Sequence, residues 1–141
     1  PALSPDGRWL AYASEETGRS EVYVRPFPDV GGGKVQVSTA GGSAPRWGHQ
    51  GTELFFADAA RDMIAAEVRT SPAFAVVRQQ RLFSTIGYTV ATGPERPVYD
   101  VAPDDRRFLM LRAGMTTTVR DDAPQTILVQ HFATELGRLL P

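Results

Sequence analysis

Cysteine is absent from all 141 residues, which excludes disulfides, thiolate nucleophiles and cysteine-bound metals and suits reducing and oxidising compartments equally. Asparagine is missing too, so there is no N-glycosylation acceptor. Lysine occurs once, at Lys34, against 14 arginines scattered along the chain, and the formal net charge is -1. No cationic stripe exists to neutralise a phosphate backbone, so nucleic acid is not an expected partner. No window approaches the roughly 20 consecutive apolar residues that span a bilayer, so this segment is not expected to insert into a membrane. The opening at Pro1, with neither Met nor an apolar leader, leads to the expectation that this is a piece of a larger protein. What is present suffices for a core: 42% of residues are hydrophobic, in a length typical of one domain.

The same phrase occurs three times. Ser4-Pro5-Asp6-Gly7, Gly48-His49-Gln50-Gly51 and Ala102-Pro103-Asp104-Asp105 are turn sequences. Each is followed at a fixed offset by a short apolar run, namely Trp9-Leu10-Ala11-Tyr12, Glu53-Leu54-Phe55-Phe56 and Arg107-Phe108-Leu109-Met110. Short strands repeating every 40 to 50 residues or so point to propeller blades, because one four-stranded unit cannot bury its apolar faces without neighbours.

The pattern predicts strands over 1–4, 9–14, 21–25 and 34–38 in the first repeat, and over 44–48, 53–58, 63–69 and 80–84 in the second. Residues 70–76 and 85–97 read as connections, the latter stretched and therefore a candidate binding loop. The third repeat offers strands at 98–102, 107–112 and 126–131 and no fourth. Phe132, Leu136, Leu139 and Leu140 then recur at helical spacing, which predicts a short helix over 132–140. The expected fold is thus all-β: a β-propeller fragment of about three four-stranded blades, the last incomplete, with a short C-terminal helix. Its expected limits are 1–43, 44–97 and 98–131.

These residues resemble a known family. Ser4-Pro5-Asp6-Gly7-Arg8-Trp9-Leu10-Ala11-Tyr12 is similar to the TolB-type propeller repeat, a relative of the WD repeat with a Ser-Pro-Asp-Gly turn between its first two strands. The segments Glu21-Val22-Tyr23-Val24-Arg25-Pro26-Phe27-Pro28, Pro45-Arg46-Trp47 and Phe108-Leu109-Met110, with the ending from Phe132 to Pro141, resemble propeller regions C-terminal to bacterial serine/threonine protein kinase domains. The second turn departs by losing its Pro and Asp, and the third carries Asp105 where Gly is expected. Such a resemblance implies a non-enzymatic recognition or sensor module, placed outside the cytoplasm. A periplasmic TolB-like interaction domain and the gate propeller of a serine peptidase are the alternatives. Kinase motifs are absent from the chain.

Motifs for chemistry are weak. Gly41-Gly42-Ser43-Ala44-Pro45 lacks the last glycine of a nucleophile elbow, and Gly31-Gly32-Gly33-Lys34 is followed by Val35 where a phosphate loop needs Ser or Thr. His49 and His131 are remote in sequence, and the pairs Glu15-Glu16, Asp104-Asp105 and Asp121-Asp122 sit in predicted loops, where carboxylates are solvated. No catalytic residue, metal or cofactor is therefore expected.

A propeller instead binds through its inner strands and loops. The equivalence of Pro45-Arg46-Trp47 with Tyr99-Asp100-Val101 sets Arg46 and Asp100 on a shared channel. Trp47, Tyr99 and the rim residues Tyr88, Glu95 and Arg96 complete the candidate site. Since about four to eight blades close a ring, three leave open faces. Either N-terminal blades are missing, or two copies associate to complete the ring.

Overall fold

A computed structural model describes residues 1–92 and 96–112, and the backbone of 125–129. The predicted terminal helix, Asp121-Asp122 and His131 lie outside the described residues.

The three turns close identically. In each, the fourth residue donates its N–H to the carbonyl of the first: Gly7 to Ser4 at 2.8 Å, Gly51 to Gly48 at 3.1 Å and Asp105 to Ala102 at 2.8 Å. In each, the first residue donates to the carbonyl five positions on: Ser4 to Trp9, Gly48 to Glu53 and Ala102 to Arg107. The fourth residue is left-handed every time, with φ of 71° at Gly7, 73° at Gly51 and 56° at Asp105. Glycine meets that demand without steric cost, and aspartate is among the few other residues that tolerate it.

Each turn joins two neighbouring strands of an antiparallel sheet. The first sheet runs β1 (Ala2–Leu3), β2 (Trp9–Ser14), β3 (Glu21–Pro26) and β4 (Val35–Gln36), paired in chain order. The second has β5 (Ser43–Trp47), β6 (Glu53–Ala57), β7 (Asp62–Arg69) and β8 (Ala75–Ser84), again in order. The third holds β9 (Tyr88–Thr89), β10 (Asp100–Val101), β11 (Phe108–Arg112) and β12 (Gln125–Val129).

Two connections differ from expectation. Residues 75–79 continue β8, which runs ten residues against β7 with two register shifts, so the Ser71-Pro72 turn is shorter than the polar sequence suggested. Residues 85–97 are not one free loop. β9 and β10 share the same edge of β11, with Tyr88↔Arg112 and Thr89↔Leu111 followed by Asp100↔Leu109 and Val101↔Phe108. They form one inner strand interrupted by an excursion, whose stem is fixed by the Ala91↔Pro97 bridge and a 3.0 Å bond from Val98 N–H to the Val90 carbonyl.

The second sheet is covered on both faces, which is why β6 and β7 read as nearly continuous apolar runs. Leu54, Phe56, Ile64, Ala66 and Val68 meet Ala11, Val22, Val24 and Val37 of the first sheet, with Trp47 and Phe74. Phe55, Met63 and Ala65 face the other way, onto Tyr99, Val101, Phe108 and Met110 of the third. Alternate residues of one strand thus glue two different neighbours, as the two-residue strand period requires. Phe108 centres the second junction, edge-on to Phe55 at 5.1 Å and Phe83 at 5.3 Å.

Candidate functional site

The first strands of the first two sheets, with Pro97 from the stem of the excursion, wall a cleft of about 450 Å³ lined by Leu3, Pro45, Arg46, Trp47 and His49 among others. Three features position these walls. Trp47 is buried, with its indole N–H donating to the Ala2 carbonyl at 3.1 Å, and so ties β5 to β1. A bulge in β5 between Ser43 and Arg46 places Ala44 at a φ of 52°, and its carbonyl faces the third sheet. Tyr99 fills that space: its buried hydroxyl lies 2.9 Å from the Ala44 carbonyl and 3.2 Å from that of Phe55. Burial raises the pKa of this phenol, so it stays a neutral donor.

Tyr99 in turn supports Arg46. The guanidinium lies 5.8 Å from the Tyr99 ring centroid, and Nη1 donates to Asp100 Oδ1 at 3.1 Å. Asp100 remains largely exposed, and its carboxylate also accepts the Val101 N–H. Arg46, Tyr99 and Asp100 are therefore brought together, and Trp47 shares the cleft wall with Arg46.

The remaining candidates fall elsewhere. Tyr88 does not stand on a free rim, since β9 draws it into the third sheet and its ring packs on the junction with the second. Arg96 is exposed at the stem of the excursion, where its carbonyl accepts the Thr92 N–H, and Pro97 beside it is the residue that reaches the cleft. Glu95 lies outside the described residues. Tyr99 and Trp47 act as supports: they are 2% and 6% exposed, too enclosed to stack on a ligand.

Sequence reasoning missed the link that sets the cleft's upper edge. The Asp105 carboxylate accepts the backbone N–H groups of His49 at 2.8 Å and Gln50 at 3.2 Å, and the His49 Nδ1–H at 3.2 Å. Gly48 makes room: a Cβ there would sit 3.1 Å from the carboxylate. The two departures from the repeat are complementary. The second turn lacks its own carboxylate at Gln50, and the third supplies one from the position normally held by glycine.

By contrast, the first turn is self-contained. Ser4 Oγ donates to Asp6 Oδ1 at 2.6 Å and accepts the Trp9 N–H at 3.0 Å, while Asp6 also takes the Arg8 N–H and Nε–H. Those bonds lower the Asp6 pKa to about 2. Asp104 repeats the arrangement with Arg106 and Arg107.

No protein-family model and no curated protein matches the sequence. Solved structures do resemble the fold. A candidate TolB from Agrobacterium tumefaciens superposes with a TM-score of 0.61 at 14% identity, over 93% of this chain and 44% of that one. TolB from Acinetobacter baumannii does so with a TM-score of 0.55 at 20% identity, over 91% of this chain and 28% of that one. The fold is that of a TolB-like β-propeller. Its three sheets are blades, and the chain spans less than half the length of these two propellers.

Proposed function

We propose that this propeller segment is a non-enzymatic recognition module that holds a protein partner at the inner-strand cleft. The observation that carries the reading is the cleft itself, a concave site of mixed polar and apolar lining with one aligned guanidinium, between the inner strands of the first two blades and Pro97 of the third. Among the described residues, the candidate nucleophile Ser43 is engaged elsewhere: its hydroxyl donates to the Ala57 carbonyl at 3.4 Å. The likeness of Glu21–Pro28, Pro45–Trp47 and Phe108–Met110 to kinase-linked propellers supports a place C-terminal to a bacterial serine/threonine kinase, outside the cytoplasm.

Capture of partners from a bacterial envelope extract tests the reading. Substitution of Arg46 by Gln and of Asp100 by Asn should alter recovery, and unchanged recovery in both variants would refute it. Hydrolysis of peptide or ester substrates that disappears with Ser43→Ala would refute the non-enzymatic assignment.

The end faces favour self-association. The outer face of the first blade carries the stacked pair Tyr12–Tyr23 with Arg25 and Lys34 over the rings, and exposes Leu3; the third blade exposes Leu109. Such faces are covered in a closed ring. Light scattering of the purified chain should report twice 15.4 kDa, and a stable monomer would exclude pairing of two copies.

A further inference from the structure

We propose that the cleft captures the carboxy-terminal end of an apolar peptide segment, with its carboxylate on Arg46 and its last amide N–H on His49. This rests on the recognition reading above and names the ligand chemistry of that same site.

Charge comes first. Among the described residues, Arg46 and His49 are the ionisable side chains in the wall. Each already faces a carboxylate, Asp100 on Arg46 and Asp105 on His49, so the ligand group that fits is another carboxylate taking the place of the exposed Asp100, and the planar guanidinium suits it. Arg46 already holds one: Asp100 Oδ1 sits on Nη1 at 3.1 Å, as the acid of a ligand would. That resident partner is 61% exposed, and solvent weakens such a pair enough for exchange. Tyr99, pinned by two carbonyls, keeps the guanidinium aligned before the ligand arrives.

His49 adds a second contact. Asp105 can only accept, so the 3.2 Å contact to Nδ1 puts the proton on that nitrogen. That leaves Nε2 as the ring nitrogen for a ligand, and in this tautomer it accepts, which matches a peptide N–H.

The rest of the wall decides the body of the ligand. Pro45, Pro97, Leu3 and Trp47 are apolar, and prolines offer no N–H to extend a sheet, so side chains and not an added strand would fill the space. With Trp47 only 6% exposed, no open aromatic platform is offered to a sugar. A volume of about 450 Å³ suits a small ligand or chain end.

Nuclear magnetic resonance titration of the ¹⁵N-labelled chain with acetyl-Ala-Pro-Leu as the free acid, and with the same peptide as the amide, tests the proposal. The acid should saturate and shift the Trp47 indole and His49 amide signals, with the amide about tenfold weaker. Arg46→Gln should erase the preference. Asp100→Asn should act oppositely, tightening the acid a few-fold and leaving the amide unchanged, an effect that misfolding cannot imitate. Failure of the acid to bind at millimolar concentration, equal binding of acid and amide, or weakening of the acid by Asp100→Asn would overturn the proposal. If the peptides fail while partner capture still depends on Arg46, the recognition reading survives alone; if capture is also indifferent to Arg46 and Asp100, both fall.

Discussion

The first and second turns of the repeat have the same backbone bonds and the same left-handed fourth residue, yet they are held by different means. Ser4 and Asp6 make the first turn independent of its neighbours. Gly48-His49-Gln50-Gly51 has no such side chains and is held from the next blade by Asp105. What repeats is a backbone geometry. The groups that satisfy it can come from within the turn or from across a junction, and in the second case the turn also fastens two blades together.

Breaking the cross-blade link should have the largest effect. Asp105→Ala removes three accepted bonds from a nearly enclosed carboxylate and leaves alanine in a left-handed conformation, at a cost of about 2–3 kcal/mol in urea unfolding. Asp105→Gly keeps the conformation and isolates the link, so it should cost less. Gln50→Asp then sharpens the comparison by its sign. It should stabilise the Asp105→Gly chain by restoring the turn's own carboxylate, and destabilise the parent by setting a second carboxylate beside Asp105.

A smaller loss is expected in the self-contained turn. Ser4→Ala leaves the Trp9 N–H without its side-chain acceptor and should cost about 1 kcal/mol, with no change in the signals of the second turn. Acid should reach the first turn as well. Asp6 is held by Ser4 and Arg8 below its ordinary 3.8, at about 2, so its contribution is complete above pH 4 and is lost as the pH falls toward 2. Glu21 follows the same sign: burial raises its pKa, but hydrogen bonds from Ser38, Arg19 and the Gly41 N–H outweigh this and lower it overall. Asp6→Asn should flatten part of this acid limb in pH-dependent melting.

The least effect has the opposite sign. Burial raises the pKa of Glu53, with Asp105 and Glu67 adding repulsion, so its ionised form opposes folding at neutral pH. Glu53→Gln should stabilise by no more than about 0.5 kcal/mol at pH 7, since solvent screens a partly exposed group, and the gain should vanish below pH 4. A destabilised variant at pH 7 would show that the carboxylate makes a compensating bond.

The three turns were legible because their constraints are local: Asp6-Gly7, Gly51 and Asp105 are residue types that accept a left-handed backbone. Strands β2, β3, β6 and β11 were legible from their apolar periods. β9 was hidden because Gly87-Tyr88 reads as a loop until β11 offers it an edge, and the start of β8 because Val76 and Val77 follow a Ser-Pro turn. The Asp105 link joins residues more than fifty positions apart, so no local pattern could show it. Its trace was the two departures from the repeat, at Gln50 and Asp105, whose coupling neither turn shows alone. Equivalence between repeats set Arg46 and Asp100 on one channel, whereas the roles of Trp47 and Tyr99 as supports depend on depth, which aromatic identity does not disclose.

Site-specific photocrosslinking asks most directly whether recognition occurs at the converging inner strands. A photoreactive phenylalanine analogue at Leu3 or Pro97, on the cleft, is compared with one at Gln80 on the outer strand β8, each in the presence of envelope extract. The account predicts partner adducts from the cleft positions and none from Gln80. Adducts from Gln80 with silence at Leu3 and Pro97 would contradict it.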